Sequence, residues 1–188
     1  MSRGDPMVDA ELVLRFKGGE ESAFDALVRR YMEEAYAFCL RLTRDAQEAE
    51  ELSQTGFVRA YRALRDFRGE ASFKSWLFRI FVNLYRDRRR RRRRAEARLD
   101  VLREEARRQP PLAAPSDGAA LETGELADLV QEKISLLPDR QREVLVLHLY
   151  QGMPYSEIAR VLGCSYDDVK VNLSLARRKL KEALKEYL

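Results

Sequence analysis

The chain has 188 residues, of which 35% are charged and 45% hydrophobic, and its formal net charge is +4. That length allows one or two domains with a modest core each, and the composition excludes a disordered polyelectrolyte. No segment approaches the roughly 20 apolar residues that span a bilayer, and no basic start precedes an apolar stretch, so we expect a cytoplasmic protein without membrane contacts.

The first part of the chain has helical periodicity and no alternation typical of strands. Asp9 is placed to cap a first helix that runs through Phe16 and is stopped by Gly18 and Gly19. A second helix is predicted from about Glu20, because apolar residues recur every three or four positions. That apolar stripe consists of Phe24, Leu27, Val28, Tyr31, Ala35, Phe38 and Leu42.

Two further helices follow before the composition changes. Asp45, with Glu48 three residues later, indicates a capping pair that opens a third helix to about Leu64. A polar break over residues 66–72 separates it from a fourth helix, which begins at Phe73 and continues into a run of arginines.

The arginine run occupies residues 88–94, and residues 86–108 contain twelve arginines against five acidic residues. Adjacent like charges repel unless an anion screens them. The aromatic residues just before the run suit stacking on unpaired bases, although Phe73 and Trp76 are better explained as core. We favour nucleic acid bound without sequence readout, because arginine–phosphate contacts position rather than specify; a solubilising face is the alternative.

Residues 109–124 contain prolines and glycines among small residues and predict a linker. Extended, this stretch would reach roughly 50 Å, more than the ~34 Å of one DNA turn. We therefore predict an all-α protein with two small helical domains joined flexibly. The domains span residues 9–94 and 125–188, and a basic, Pro- and Gly-containing linker spans residues 95–124.

Residues 151–184 predict a helix-turn-helix. Gly163 and Cys164 end one amphipathic stretch, and Ser165 opens the next, with its hydroxyl placed to accept a backbone N–H and Asp168 placed to reach back. A short helix, a tight turn and a longer basic helix can place side chains in a major groove. A helical hairpin with merely solvated basic residues is the alternative.

Three groups of residues follow one another in a characteristic order: 48–54 with 57–62; 73–80 with Asn83 and 87–88; and 137–144 with 155–159 and 162–163. They resemble, respectively, region 2.2, regions 2.3 and 2.4, and region 4 of bacterial sigma factors in the extracytoplasmic-function group of the sigma-70 family. The resemblance covers about residues 11–94 and 126–184.

The resemblance implies an alternative sigma factor that binds core RNA polymerase and directs promoter-specific transcription initiation, with an anti-sigma factor as a further expected partner. Polymerase docking is expected at Glu48, Glu51, Gln54 and Arg59. The melted −10 element is expected at Arg68, Gly69, Lys74, Arg79, Asn83 and Arg86. The −35 duplex is expected at Ser165, Lys170, Val171, Asn172, Ser174, Arg177 and Arg178.

Some residues depart from the family pattern in the recognition helix. Asp167 and Asp168 favour the helix N-terminus but repel phosphates, and Val171 offers at most an apolar contact to a thymine methyl. Asn172 lacks a charge, although an amide can read adenine in a bidentate way. We therefore expect an unusual −35 preference or weaker dependence on that element.

Two departures lie in the first domain. Gly56 falls within the third helix, where glycine costs about 1 kcal/mol relative to alanine. Trp76 and Leu77 occupy the positions at which primary sigma factors carry the paired tryptophans that wedge the duplex open. Since at most half of that wedge is present, we expect melting to depend on a close promoter match.

The sequence contains no pattern typical of an enzyme. There is no nucleophile–base pair, phosphate-binding glycine loop or metal-ligand spacing, and the two cysteines, Cys39 and Cys164, belong to no paired motif. His148, the only histidine, lies in an apolar helix. We expect no catalytic site, metal or cofactor. The rival functions are a stand-alone helix-turn-helix regulator of duplex DNA and an RNA-binding protein.

Overall fold

The computed structural model describes residues 6–106, 125–185 and 187, and every regular element in these ranges is helical. The N-terminal unit contains α1 (Pro6–Lys17), α2 (Ser22–Thr43), α3 (Ala46–Ala63), a 3-10 turn (Leu64–Asp66) and α4 (Phe73–Ala106). The C-terminal unit contains α5 (Glu125–Ser135), α6 (Asp139–Leu149), α7 (Tyr155–Leu162) and α8 (Tyr166–Ala183). The predicted all-α class with two helical units is confirmed.

The start of α1 differs from the prediction. The helix begins at Pro6, so Asp9 lies inside it and not at its N-cap. Asp9 is 3% exposed; it accepts a hydrogen bond from the Tyr31 hydroxyl and pairs with Arg30, whose Nε lies 3.0 Å from Oδ1. The predicted cap is therefore wrong. The buried carboxylate instead ties α1 to α2, because a charge removed from water needs a partner.

Aromatic rings join α2, α3 and α4. Phe38 of α2 meets Phe78 of α4 edge to face with ring centroids 5.0 Å apart, and Phe57 of α3 meets Phe81 of α4 at 5.5 Å. Gly56 lies where α3 crosses the Phe81 ring, and a Cβ atom at this position would overlap that ring. The glycine that the sequence marks as unfavourable in a helix thus allows α3 and α4 to approach closely.

The predicted helix-turn-helix is present as α7 and α8. Gly163 ends α7 in the left-handed region with φ of 63°, a conformation that glycine adopts without strain. The Ser165 hydroxyl accepts the Asp168 N–H at 3.0 Å, and the Asp168 carboxylate accepts the Ser165 N–H at 3.1 Å. Both halves of the predicted capping box are therefore confirmed.

Helix α4 is 34 residues long, which corresponds to about 50 Å at 1.5 Å per residue. It continues through residues 95–106, the first part of the predicted linker, while residues 107–124 lie outside the described ranges. The C-terminal unit packs directly on the N-terminal unit, with α7 against α4 and with α5 and α6 against α2. Within the described ranges, none of the helices combines the length and apolar character needed to cross a membrane.

Candidate functional site

One side of α4 carries three of the six residues predicted to meet the −10 element. Because α-helical residues three, four and seven apart share a face, Arg79, Asn83 and Arg86 lie on the same side. Arg79 and Asn83 are exposed. Asn83 therefore presents an amide, which both donates and accepts hydrogen bonds, next to a guanidinium one turn away. We call the surface of Ser72, Ser75, Arg79, Asn83 and Arg86 the α4 face.

The polar loop before α4 is anchored at one end and open at the other. The Phe67 ring packs on Trp76 at 5.1 Å and on Phe73 at 6.4 Å between centroids, and the Lys17 ammonium donates to the Phe67 carbonyl. Gly69, the tip of the loop, is exposed with φ of 74° and has open space around its Cα. Backbone groups at the tip are consequently accessible to a ligand at little steric cost.

Trp76 and Leu77 have different environments. Leu77 is fully buried, so only Trp76, which is half-buried against Phe67, lies near the open loop. An indole in this position supports the loop rather than projecting from the surface.

Lys74 and Arg86 are held by other parts of the chain. The Lys74 ammonium lies 2.6 Å from Glu34 Oε1 and donates to the Gln151 carbonyl at 3.0 Å. Arg86 forms a bidentate ion pair with Glu143 of α6, in which Arg86 Nε lies 2.8 Å from Glu143 Oε1. The hydrogen bonds to Glu143 raise the pKa of Arg86. Both cations therefore contact the C-terminal unit in this arrangement.

The arginine run is screened by carboxylates of the same chain. The acidic partners are contributed by α3, α4 and α6, so the like charges that the sequence places side by side do not face each other unshielded. Among the described residues, five of the seven arginines form such pairs: Arg88 with Glu51, Arg89 and Arg93 with Asp139, Arg90 with Asp87, and Arg92 with Glu96. Most of these pairs are solvent-exposed and consequently weak, so a polyanion can displace them.

The exposed side of α8 carries the residues predicted to meet the −35 element. Five of the seven, Lys170, Val171, Ser174, Arg177 and Arg178, lie within about one third of the helix circumference, away from the buried Val169, Leu173 and Ala176. Asn172 lies outside this arc and is half-buried. Val171 is 56% exposed. The other exposed members of this α8 face are Lys170, Ser174, Arg177 and Arg178.

Two predicted −35 residues take part in bonds within α8. The Ser165 hydroxyl is used as the N-cap, and hydrogen bonds with Ser165 lower the pKa of Asp168. Asn172 donates its amide to the Asp168 carbonyl at 2.7 Å. Asp167 is exposed and lies on the same side as Lys170 and Ser174. The α8 face thus has a carboxylate at its N-terminal end.

The predicted polymerase-docking residues lie on or beside the outer side of α3. Glu51, Gln54 and Arg59 are exposed and Glu48 is half-buried. Glu51 pairs with Arg88 of α4 at 3.2 Å while remaining 54% exposed. Sequence reasoning missed Val58, which is 50% exposed on the same side. An exposed valine on a helix within an amphipathic pattern could have indicated that this side is not purely polar.

Sequence reasoning also missed the residues that join the two units. Glu143 is buried against Arg86, and Glu157 of α7 accepts hydrogen bonds from Ser72 and Ser75 at the start of α4. Arg142 of α6 donates to the Tyr85 hydroxyl at 3.0 Å. These contacts join residues 57 to 85 positions apart, and no local pattern marks them.

The described residues contain no group of three or more histidine, cysteine or acidic side chains that could hold a metal ion. His148 lies with Nδ1 3.2 Å from the Met153 carbonyl and its ring edge-on to Tyr155. Cys39 is buried, and burial raises the pKa of its thiol. Cys39 is enclosed by the core, and the half-buried His148 ring packs on Tyr155.

Two protein-family profiles match the chain, one in the N-terminal unit and one in the C-terminal unit. The profile for Sigma-70 region 2 matches residues 27–95, and that for Sigma-70, region 4, matches residues 127–180. The first match covers most of α2, all of α3 and the first part of α4, and the second runs from within α5 to within α8.

Full-length similarity extends to characterised proteins. The chain is 34% identical over 184 residues to the RNA polymerase sigma-H factor of Pseudomonas aeruginosa, covering 96% of this chain and 95% of that protein. It is 30% identical over 188 residues to the ECF RNA polymerase sigma factor SigW of Bacillus subtilis, covering 96% and 98%. Its fold is similar to that of CnrH in complex with the cytosolic domain of CnrY, with TM-score 0.69, 29% identity, and coverage of 95% and 98%.

Proposed function

Since this chain belongs to the sigma-70 family as an alternative sigma factor of the extracytoplasmic-function group, we propose that three separate faces divide the work of promoter recognition. Helix α3 docks on core RNA polymerase, the α4 face with the 66–72 loop holds the melted −10 strand, and the α8 face reads the −35 duplex. The observation that best supports this division is that each face has exposed polar groups on a helix backed by a packed core.

Docking on polymerase is assigned to Glu51 and Gln54, with Glu48 and Arg59 beside them. Exposed carboxylates and amides suit a basic partner surface, and the half-exposed Val58 supplies apolar area that hydrogen bonds alone lack. In the free chain, Glu51 forms an ion pair with Arg88. Because this pair is exposed and weak, a partner arginine or lysine can replace Arg88 at little cost.

The melted −10 strand is assigned to the exposed end of the N-terminal unit. Arg68 and Gly69 lie at the open tip of the loop, where backbone groups can bind an extruded base. Asn83 and Arg79 lie on the adjacent α4 face, so one amide can read a base edge while a guanidinium meets a phosphate. Lys74 and Arg86 are assigned to neighbouring phosphates after release from the C-terminal unit.

The −35 duplex is assigned to α8. Lys170, Arg177 and Arg178 supply phosphate contacts, and Ser174 and Val171 are placed to meet base edges in the major groove. The side chains of Ser165 and Asn172 are hydrogen-bonded within α8. Their first role is therefore to stabilise the N-terminal part of that helix. Asp167 opposes phosphates at that end, which accounts for the expected weak or unusual −35 dependence.

Regulation by a protein partner fits the same surfaces. The similar structure CnrH is seen in complex with the cytosolic domain of CnrY. An anti-sigma factor is correspondingly assigned to this chain as an additional partner. The site of action is the cytoplasm, where polymerase and promoter DNA are available. The chain contributes recognition, and the polymerase performs the chemistry.

The docking assignment is tested by the substitution Glu51→Arg, which reverses the charge of an exposed side chain. It should abolish co-elution with purified core polymerase while leaving the helical circular dichroism and the melting temperature unchanged. Glu33→Arg, an exposed glutamate on α2 outside the proposed face, is the matched control and should co-elute normally. Equal polymerase affinity of the two variants would rule out α3 as the docking helix.

A further inference from the structure

The three promoter-recognition faces assign no ligand to the arginine run of residues 88–94. The run is helical throughout, so its side chains point to several sides of α4. On one of these sides an open groove of about 570 Å³ lies between α4 and the start of α6, within the size range of small-molecule sites. Six arginines line the groove: Arg86, Arg89, Arg90, Arg93, Arg94 and Arg140.

Five of these arginines form one stripe along α4. They recur every three or four positions, which is the spacing that places side chains on a shared helix face. From Arg86 to Arg94 the helix advances about 12 Å at 1.5 Å per residue. Arg140, in the first turn of α6, adds a guanidinium from the other wall of the groove. The groove therefore contains a row of cations, while Arg91 and Arg92 of the same run point away from it.

The charge of this groove is only partly balanced by the chain itself. Among the described residues that line it, only Asp139 and Glu143 are acidic, which leaves a formal excess of four positive charges. Asp139 bridges two neighbouring arginines of the stripe, Arg89 and Arg93, with Oδ2 3.0 Å from an Arg93 nitrogen. A negatively charged group can therefore join adjacent guanidinium groups in this groove.

The arginines farther along the groove are open to solvent. Arg94 is exposed. The Arg90 side chain is 64% exposed and pairs with Asp87 of its own helix at 2.6 Å. Such exposed ion pairs stabilise a chain by roughly 1 kcal/mol or less. A ligand can consequently take the place of Asp87 at Arg90 without breaking the fold.

The length of the cation row indicates the kind of anion that fits it. Arginine binds carboxylates and phosphates in the same bidentate geometry. An anion with one charged group would replace Asp139 and leave the rest of the row unpaired. Adjacent phosphate groups place a charge on each successive unit, which matches a row of guanidinium groups. A nucleic acid duplex carries its phosphates on a convex surface, whereas these arginines line a concave one.

We propose that this groove binds a small soluble ligand with several adjacent phosphate groups, either an inorganic polyphosphate chain or a nucleoside triphosphate. Arg90 and Arg94 bind the phosphates directly, and Arg89 and Arg93 join them when a phosphate replaces the Asp139 carboxylate. The site goes beyond the proposed function, because it needs neither polymerase nor promoter DNA. Only Arg86 belongs both to this groove and to the α4 face.

The test is calorimetric titration of the full chain, at low salt and without magnesium, with tripolyphosphate, adenosine triphosphate and orthophosphate. Tripolyphosphate should bind at one site and at least about tenfold more tightly than orthophosphate, because each further charge-assisted contact adds roughly tenfold. It should also raise the melting temperature of the chain, since a ligand of the folded state stabilises it. Equal binding of adenosine triphosphate would assign recognition to the phosphate chain alone, and tighter binding would show that the groove also holds the nucleoside.

Two double variants with the same loss of charge locate the site. Arg90→Gln with Arg94→Gln removes two lining arginines and should weaken tripolyphosphate binding at least about tenfold. Arg91→Gln with Arg92→Gln is the matched control, because both residues are exposed and neither lines the groove. Each double variant also loses one exposed ion pair within α4, to Asp87 or to Glu96. The control should therefore keep the affinity and show a similar melting temperature.

Three results would overturn the proposal. The first is no saturable binding of tripolyphosphate or adenosine triphosphate by the unaltered chain. The second is equal weakening in the two double variants, which would show that the run attracts anions only through its total charge. The third is a short single-stranded RNA that binds more tightly than tripolyphosphate and depends on Arg90 and Arg94 in the same way, which would assign the groove to nucleic acid.

Discussion

Gly56→Ala should weaken the packing of α3, the proposed docking helix, on α4. The added Cβ would overlap the Cε1–Cδ1 edge of the Phe81 ring. That ring is fully buried and is held by Phe57 at 5.5 Å and Phe78 at 5.8 Å between centroids, so it has no room to move. Overpacking at a rigid site costs up to about 3 kcal/mol, and alanine recovers about 1 kcal/mol of helix propensity over glycine. The free energy of unfolding should fall by about 2 kcal/mol.

For a unit of roughly 100 residues, this loss corresponds to a melting temperature lower by about 8–16 °C, which circular dichroism or calorimetry resolves easily. Phe81→Leu in the same background should recover part of the loss, giving a coupling energy of about 1 kcal/mol in a double-mutant cycle. Gly69→Ala is the control: it has open space but a positive φ, so it should cost about 1 kcal/mol by backbone strain alone. If Gly56→Ala raises the melting temperature, the close approach of α3 and α4 is wrong.

Three further variants test the DNA-binding assignments in the polymerase-bound state. Arg177→Ala with Arg178→Ala should weaken binding to a −35 fragment and flatten the slope of log affinity against log salt by about 1.8, at about 0.9 per lost phosphate contact; an unchanged slope would remove both residues from the phosphate contacts. Asp167→Asn should tighten the same complex up to about fivefold by removing a repulsive charge of about 1 kcal/mol, and weaker binding would show that the carboxylate helps recognition. Asn83→Ala should reduce run-off transcription about tenfold or more and relax base preference at one −10 position, whereas equal losses on every −10 variant would indicate a merely structural role.

The sequence predicts most of the local structure because local signals specify it. Ser165 and Asp168 form the predicted capping box, and the Asp45 carboxylate caps α3 by accepting the Glu48 N–H at 2.7 Å. Only one half of the predicted α3 pair forms, since the Asp45 N–H donates to the Thr43 hydroxyl. Asp9 misleads because an aspartate near a helix start has the same local pattern whether it caps the helix or is buried in it.

The contacts between distant residues could not be predicted. Gly56 is unfavourable by helix propensity and is explained only by Phe81, which comes 25 positions later in the chain. Glu143 and Arg86 each have an obvious local interpretation, a solvated acid and a phosphate-binding cation. The two side chains meet only because the two units pack against each other. The sequence of the linker between them does not indicate how the units pack. Helix periodicity predicts the three candidate faces, but it does not predict which of their residues are paired with other parts of the chain.

The most direct test of the account is transcription with purified components. The chain is mixed with core RNA polymerase purified from the same organism and with a pool of genomic promoter fragments. The RNA start sites are then mapped. The chain should form a stable complex with polymerase and produce a new, specific set of starts that disappears with Glu51→Arg and persists with Glu33→Arg. A chain that shifts promoter duplex without polymerase and redirects no RNA starts would contradict it.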